Sequence, residues 1–200
     1  MIIWINGAFG SGKTTTANEI FRRCPGTYLY DPENIGYFLR KNTPKSIHTS
    51  DFQDIPLWRE FNYKMLKQIY GEWIGDIVVP MTVVNREYFD EIIRKLRSDG
   101  IDIRHFILYA DKETLIKRLK YRSARLAFLR KEHWAIRQID RCIDAFNSCI
   151  TEGIIDTANM NIDEVAERIA TECGLLLSRR EPFVKKHINR LIAKLKVIRI

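Results

Sequence analysis

Eight consecutive residues near the start of the chain have the types and spacing of a phosphate-binding loop. They read Gly7-Ala8-Phe9-Gly10-Ser11-Gly12-Lys13-Thr14 and fit the pattern G-x-x-x-x-G-K-[ST]. Glycines let the backbone curl so that N–H groups point at an anion, and a following helix adds the partial positive charge of its N-terminus. Lys13 would neutralise the outer phosphates, and the Thr14 hydroxyl would supply a hard oxygen for Mg²⁺. The motif predicts that residues 7–15, ending at Thr15, bind ATP or a close relative.

A second chemical candidate, Asp31, directly follows the second predicted strand. Many P-loop proteins hold Mg²⁺ with an acid at the end of strand three, but here Asp76 precedes that strand and none follows it. Asp31 would open onto the carboxyl edge of the sheet, where ligands of open α/β sheets bind. We therefore predict Asp31 as the catalytic base or as a water-mediated Mg²⁺ ligand. The alternative is a cap for the helix that starts at Pro32, and the two roles are compatible.

Basic residues recur on one face of a predicted helix in the second half of the chain. Arg118, Arg122 and Arg125 are spaced four and three residues apart and could stabilise a transferring phosphoryl group. Arg137 and Arg141 follow after a short loop, which gives residues 112–142 the helix, loop, helix plan of a lid. The alternative for each arginine is an ordinary solvated face.

Residues around a polar stretch at 41–54 could form an acceptor pocket. We predict Arg40 before this stretch and Asn62 after it as substrate contacts. Core packing accounts equally well for the neighbouring aromatic residues, because apolar positions on one helical face are core by default. For the nucleobase, Asn159 and Met160 are candidates by position, since they follow the last predicted strand.

The elements that must position these residues alternate between strands and helices. Apolar β-prone runs at 1–6, 27–30, 77–84, 103–109 and 154–155 predict five strands. Helical patterns fall at 13–23, 32–40, 56–73, 86–97, 112–128, 134–147 and 161–171, and we predict a mobile loop at 41–54. This alternation predicts an α/β fold: a three-layer P-loop kinase fold with a central, mostly parallel five-stranded sheet and a helical lid.

Composition limits the location and the partners. The chain has 200 residues, 46% of them hydrophobic, which suits one domain at 1–178 with an appendage at 179–200. The four cysteines form no C-x-x-C pair, so they predict reduced thiols rather than a zinc site or a disulfide framework. We find no signal peptide and no spanning segment, and we expect a cytoplasmic protein.

The net charge of +8 resides almost entirely in the last segment. From Arg179 onward there are eight basic residues against Glu181 alone, so the rest of the chain is nearly neutral and nucleic acid is not an expected partner. The segment has its apolar residues on one helical stripe: Val184, Ile188, Leu191, Leu195 and Ile198. This pattern predicts a basic amphipathic helix that associates peripherally with an anionic membrane. Docking on its own domain and an RNA contact are the alternatives.

Several segments together resemble the P-loop kinase-like family, and within it the bacterial tunicamycin resistance ATP-binding proteins. The resemblance runs nearly end to end and includes residues 1–14, 30–33, 56–59, 79–82, 87–89, 138–142 and 198–200. It implies ATP binding by residues 7–14, resistance to a nucleoside antibiotic such as tunicamycin, and association with the membrane.

These observations lead to a mechanistic hypothesis and its rivals. As a small-molecule phosphotransferase, the protein would use Asp31 to accept a hydroxyl proton, with Lys13, Arg118 and Arg122 stabilising the transferred phosphoryl group. One rival is a non-catalytic protein that sequesters the drug in an ATP-dependent way, which the missing acid after strand three favours. Another is a kinase of a different small molecule.

Overall fold

The computed structural model describes residues 1–124 and 132–180. Its centre is a five-stranded sheet in the order β2-β3-β1-β4-β5, with every paired strand parallel to its neighbour. The strands are β1 (Ile2–Gly7), β2 (Tyr28–Leu29), β3 (Ile77–Pro80), β4 (Ile103–Tyr109) and β5 (Ile154–Asp156). The predicted five-stranded parallel sheet is confirmed.

Helices cover both faces of this sheet and complete the three layers. They are α1 (Lys13–Arg23), α2 (Glu33–Asn42), α3 (Pro56–Glu72), α4 (Arg86–Phe89), α5 (Lys95–Ser98), α6 (Lys112–Ala124), α7 (Glu132–Arg137), α8 (Ile139–Ser148) and α9 (Ile162–Cys173). A π-helical turn, Asp90–Arg94, joins α4 to α5. Helices α1 and α9 pack on one face, and α2 to α8 contribute the core of the other.

Strand β1 shows why the sheet must be covered on both sides. All six of its residues are buried, with Ile3 and Ile5 packed against α1 and α9 while Ile2 and Trp4 face the opposite cluster. Alternate residues of a strand point to opposite faces, so a continuous apolar run needs a core on each face. The P-loop, which follows β1 directly, therefore extends from the most deeply buried element of the fold.

Three segments show the main differences from the sequence prediction. Strand β3 ends at Pro80 rather than at residue 84, although the chain stays close to β1 through Met81 N–H to Ile5 O at 3.1 Å. Residues 41–54, predicted as a mobile loop, contain two 3₁₀ turns, Lys45–Ile47 and Phe52–Asp54. The helix predicted at 134–147 is divided at Gln138 into α7 and α8.

Two predicted segments extend beyond the described residues. The end of the helix predicted at 112–128, and with it Arg125, lies there, and so does the amphipathic segment 181–200. Within the described ranges, no helix combines the length and the apolar character needed to cross a bilayer.

Candidate functional site

The P-loop has a backbone shape that only glycine readily adopts. Gly7, Gly10 and Gly12 have φ angles of 143°, 89° and 102°. Gly12 immediately precedes α1, so the loop ends where the helix presents its first N–H groups. The predicted strand, glycine loop and helix are confirmed, and the geometry is that of an anion site at a helix N-terminus.

Two backbone N–H groups of the loop are held by hydrogen bonds. Gly7 N–H donates to Asn6 Oδ1 at 2.8 Å, and Ser11 N–H donates to Ala8 O at 3.1 Å. Burial raises the pKa of the Cys142 thiol on α8, and the nearby Phe9 backbone lowers it by a smaller amount. In this structure the Gly7 N–H bonds to Asn6 Oδ1, and its predicted contact with phosphate stays a prediction. Its φ of 143° contributes to the shape of the loop.

Other polar groups of the loop remain open to an anion. Within the described residues, the N–H groups of Gly10, Gly12 and Thr14 have no protein acceptor. The Ser11 hydroxyl is also buried in the loop without a hydrogen-bond partner. Buried polar groups are normally satisfied, so an unpaired hydroxyl beside open amides fits a bound phosphate. Lys13 Nζ donates to Ala8 O at 3.0 Å, which holds the ammonium at the loop.

A buried network fixes the first peptide of the loop. The Asn6 amide accepts from Gly7 N–H and from Val83 N–H, and its nitrogen donates to Val83 O at 2.8 Å. That nitrogen also lies 3.2 Å from Nε2 of the fully buried His105, whose Nδ1 is 3.2 Å from Glu152 O. With Asn6 donating to Nε2, the imidazole is neutral and donates from Nδ1. The Thr82 hydroxyl also holds this peptide, because it donates to Gly7 O at 2.9 Å.

The buried imidazole makes stability depend on pH. Burial lowers the pKa of His105 from 6.5 to about 4. Between these two values the unfolded chain binds a proton that the folded protein excludes, so the contribution of His105 to stability falls as pH falls from about 6.5 to about 4. Relative to His105→Gln, we expect the wild type to lose up to roughly 3 kcal/mol of unfolding free energy as pH falls over this window. Urea denaturation across the pH range measures both, and parallel curves would contradict the assignment.

Asp31 lies at the carboxyl end of β2, as the sequence predicted. Its Oδ1 accepts from Glu33 N–H at 3.0 Å, so Asp31 does cap the start of α2, and no donor among the described residues reaches its Oδ2. Burial, together with repulsion from Glu33, raises the pKa of Asp31 from 3.8 to about 6. A carboxylate with a pKa close to neutral and one open oxygen has the properties of a general base.

A pocket of about 410 Å³ opens on the other side of the P-loop. It is bounded by Gly10, Ser11 and Gly12, by Arg118 of α6, and by Met160 in the loop after β5. Arg118 is held there because it donates to Thr157 Oγ1 at 3.1 Å and to Thr157 O at 2.6 Å. A pocket lined by a planar guanidinium and an apolar side chain suits a flat aromatic ligand. The predicted contact of Arg118 with the phosphoryl group stays a prediction, and its position in this pocket leads us to expect a contact with the nucleobase.

This geometry gives Arg118 a testable role. Arg118→Ala should weaken ATP binding about ten-fold, since it removes one face of the pocket and frees the Thr157 loop. Lys117→Ala is the matched control, because Lys117 is exposed on the same helix and does not line the pocket. Isothermal titration of ATP measures the effect. Equal affinities for the two variants would contradict the role.

The two predicted substrate contacts have structural roles in this geometry. Arg40 donates to Thr49 O at 3.3 Å and Ser50 O at 3.1 Å, which fastens residues 43–51 to α2. Asn62 is fully buried, with its oxygen accepting from Tyr30 and its nitrogen donating to Trp58 O. Their substrate role remains a prediction, and the Asn62 position does not favour it. The Arg122 side chain lies outside the described residues.

Helices α7 and α8 of the predicted lid contact the rest of the site through Trp134 and Arg141. Trp134 of α7 packs edge-on against Phe9 of the P-loop, with ring centroids 5.0 Å apart. Arg141 of α8 lies 3.6 Å from Asp51, which in turn caps the 3₁₀ turn Phe52–Asp54. Helices α7 and α8 are therefore connected both to the nucleotide side and to the segment after α2.

Sequence reasoning missed the residues that support the site through partners far away in the sequence. Asn6 and His105 are 99 positions apart and meet only because β1 pairs with β4. No local motif marks them, although a histidine in the middle of an apolar strand is a weak signal. Thr157 was also missed, since its importance depends on Arg118 reaching across from α6.

A phosphate loop of this shape between β1 and α1, on a parallel sheet of this order, defines a P-loop nucleotide-binding protein of the kinase-like class. The chain belongs to the AAA domain family, whose match covers residues 2–147. A search of curated proteins finds no significant match.

Solved structures are similar to this chain over most of its length. A tunicamycin resistance protein from Deinococcus radiodurans has 28% sequence identity and a TM-score of 0.73, covering 90% of this chain and 99% of its own. A sugar kinase from Janibacter sp. has 16% identity and a TM-score of 0.58, covering 87% and 94%. A deoxyadenosine kinase from M. mycoides has 17% identity and a TM-score of 0.52, covering 87% and 99%. The two kinases share the fold, and the resemblance drawn from the sequence is confirmed.

Proposed function

We propose that this protein is an ATP-dependent phosphotransferase that acts on a hydroxyl group of tunicamycin or a related nucleoside antibiotic. The observation that supports it is the Asp31 carboxylate, whose pKa is raised to about 6 at the carboxyl edge of the sheet. Strand order places Asp31 after β2, the P-loop after the central β1 and the Arg118 pocket beside β5. A nucleotide lying along this edge would point its outer phosphates toward the Asp31 side.

Each residue has a distinct task in this arrangement. The Arg118 pocket would hold the base, and the open amides of the P-loop with the Ser11 hydroxyl would hold the phosphates. Lys13 would leave Ala8 O and neutralise charge on the transferred group. Asp31 would accept the proton of the attacking hydroxyl at its open Oδ2.

Magnesium completes the site in this proposal. Thr14 is exposed at the start of α1 and would coordinate the ion directly, with Asp31 as a water-mediated ligand. When bound, Mg²⁺ would supply positive charge that offsets the negative charge of the phosphates during transfer.

The choice of acceptor rests on similarity. A tunicamycin resistance protein is similar to this chain over 90% of its length. Tunicamycin offers sugar hydroxyls as acceptors, a uracil, and a fatty acyl tail that partitions into membranes. A kinase attached to a bilayer could meet the drug there, which accords with the membrane association we propose for residues 181–200.

The second candidate is ATP-dependent sequestration without chemistry. It is favoured by residues 81–85, which follow β3 at the expected position of a Mg²⁺-binding acid and contain none. In this reading, the nucleotide would organise a pocket that holds the drug unmodified.

Acceptor choice can be tested by ADP production. Purified protein with Mg²⁺ and ATP should release ADP faster when tunicamycin is added than with shikimate, gluconate or chloramphenicol in its place. Strong stimulation by one of those alternatives would assign the kinase to a different small molecule. No stimulation by any acceptor, combined with tight drug binding, would favour sequestration.

The membrane association can be tested by truncation. Removing residues 181–200 deletes six basic residues against one acidic residue, so binding to anionic vesicles should fall about ten-fold or more. Sedimentation with phosphatidylcholine vesicles that contain phosphatidylserine measures the loss. Retention of full binding would contradict the role of this segment.

A further inference from the structure

An apolar tip projects from the turn between α3 and β3. Ile74 is 97% exposed and Trp73 is 43% exposed, and the Trp73 ring lies 5.8 Å from that of Tyr28, which is itself 39% exposed. Single exposed apolar residues are common, but an almost fully exposed isoleucine next in sequence to one of two contacting, exposed aromatic rings forms a small apolar surface.

The turn that carries Ile74 is firmly held. Trp73 N–H donates to Ile69 O at 2.7 Å, and its indole donates to Gly26 O at 3.3 Å. Gly75 has a φ of 152°, and a Cβ there would lie 2.1 Å from Gly26 O. Because the backbone on both sides is packed so closely, the Ile74 side chain is directed outward by the fold.

This tip lies at the amino end of the strands. Tyr28 begins β2, and the turn precedes β3, whereas the P-loop follows the end of β1. The starts of parallel strands share one edge of a sheet, so the tip and the nucleotide site are at opposite ends of the molecule. A partner on the tip would leave the nucleotide site open.

The described residues that precede the basic C-terminal segment are attached at the same end. Ser178 N–H donates to Arg23 O at 2.8 Å, and Arg23 Nε donates to Ser178 O at 3.0 Å, at the last residue of α1. Leu175 and Leu177 pack against the same core cluster as Leu29 of β2, while Leu176 between them is 90% exposed. Residues 175–178 therefore lie at the same end of the sheet as the tip, and Arg180 pairs with Glu167 of α9.

We propose that Ile74, Trp73 and Tyr28 form a second membrane contact, which inserts into the same anionic bilayer that the C-terminal segment binds. Amphipathic Trp and Tyr rings suit the headgroup layer, and a protruding aliphatic side chain suits the acyl boundary beneath it. The inference rests on the membrane part of the proposed function and is independent of the reaction. A protein partner fits less well, because a stable interface needs about 800 Å² from each side.

The experiment compares vesicle binding of the full chain with that of Ile74→Asp. Ile47→Asp is the matched control, because Ile47 is 63% exposed but belongs to the 3₁₀ turn after α2. With phosphatidylcholine vesicles containing phosphatidylserine, Ile74→Asp should bind about ten-fold more weakly and Ile47→Asp as the wild type. Brominated lipids should quench fluorescence in the wild type more than in Trp73→Phe.

The outcomes separate this inference from the role of the C-terminal segment. If a chain without residues 181–200 binds weakly and Ile74→Asp weakens its residual binding further, both contacts are supported. Unchanged vesicle binding of Ile74→Asp would overturn the proposed membrane contact of the tip and would leave the role of residues 181–200 standing. If Ile74→Asp lowers thermal stability in the full chain but not in the truncated chain, residues 181–200 cover the tip. If Ile74→Asp changes the molecular mass that light scattering measures in solution, a second copy of the chain covers the tip. Either result overturns the proposal.

Discussion

Replacing Asp31 with asparagine should abolish phosphoryl transfer and leave ATP binding intact. The amide keeps the acceptor for Glu33 N–H, so the start of α2 is preserved, but it cannot take a proton from the attacking hydroxyl. We expect turnover to fall by about 10²–10⁴-fold. ADP release in the presence of the acceptor measures turnover, and titration calorimetry measures ATP affinity. Full activity of Asp31→Asn would reduce Asp31 to a helix cap.

The same substitution should stabilise the free protein above neutral pH. The pKa of Asp31 is about 6 in the folded state against 3.8 ordinarily, so the folded protein binds this proton more tightly than the unfolded chain. Ionisation of Asp31 therefore lowers stability as pH rises from about 4 to about 6, opposite in sign to the effect of His105, and this contribution persists above that range. Because asparagine does not ionise, the variant should be more stable at pH 8 by roughly 1–3 kcal/mol.

Asp111→Asn is a control variant that should change stability in the opposite direction to Asp31→Asn. Asp111 Oδ1 accepts from Thr114 N–H at 2.8 Å, and this bond is the main reason that the pKa of Asp111 is lowered. Asp111→Asn should therefore destabilise the protein at neutral pH, where Asp31→Asn stabilises it. Urea denaturation of the two variants at pH 5 and pH 8 gives the comparison. Destabilisation by Asp31→Asn at pH 8 would contradict the assigned environment.

Replacing Gly7 with alanine should disrupt the P-loop. A Cβ at Gly7 would lie 2.6 Å from Ser11 Oγ and 2.7 Å from Leu108 O, and the φ angle of 143° is unfavourable for alanine. Backbone strain and overpacking together should cost roughly 2–5 kcal/mol. Because Ser11 must move, ATP affinity should fall as well. Urea denaturation and titration calorimetry measure the two losses.

A matched variant, Gly26→Ala, separates the effect of backbone strain on stability from the effect of steric crowding. Gly26 also has a positive φ, 88°, but a Cβ there would meet no atom within 4 Å. Gly26→Ala should cost only about 1 kcal/mol and leave ATP affinity unchanged, because Gly26 lies at the amino end of the sheet. Equal losses in the two variants would show that the crowding at Gly7 does not matter.

The sequence predicts local features of this fold well because their causes are local. The glycine pattern specifies the loop, and the Lys13–Arg23 helix is observed with the predicted bounds. Residues 41–54 were predicted as a mobile loop because their sequence shows no periodic pattern. In the structure, Arg40 donates to two carbonyl oxygens of this segment, and Asp51 caps a 3₁₀ turn within it. Patterns of hydrophobicity do not record such side-chain to backbone contacts.

The site was predictable in part for the same reason. Asp31 could be found from its place after a strand, but its raised pKa depends on burial that only the assembled fold provides. Arg118 was found by its type and spacing, but its hydrogen bonds to Thr157 and its place in the pocket beside the P-loop could be seen only in the structure. The Asn6 and His105 pair had to be seen in the structure, because strand pairing alone brings it together.

Mass spectrometry of the drug tests the central proposal most directly. Purified protein would be incubated with Mg²⁺, ATP and tunicamycin, in parallel with Asp31→Asn, and the drug then recovered. The proposal predicts that the wild type increases the mass of the drug by one phosphoryl group and that the variant leaves it unchanged. Recovery of unmodified drug from a tight ATP-dependent complex with the wild type would contradict phosphoryl transfer and establish sequestration.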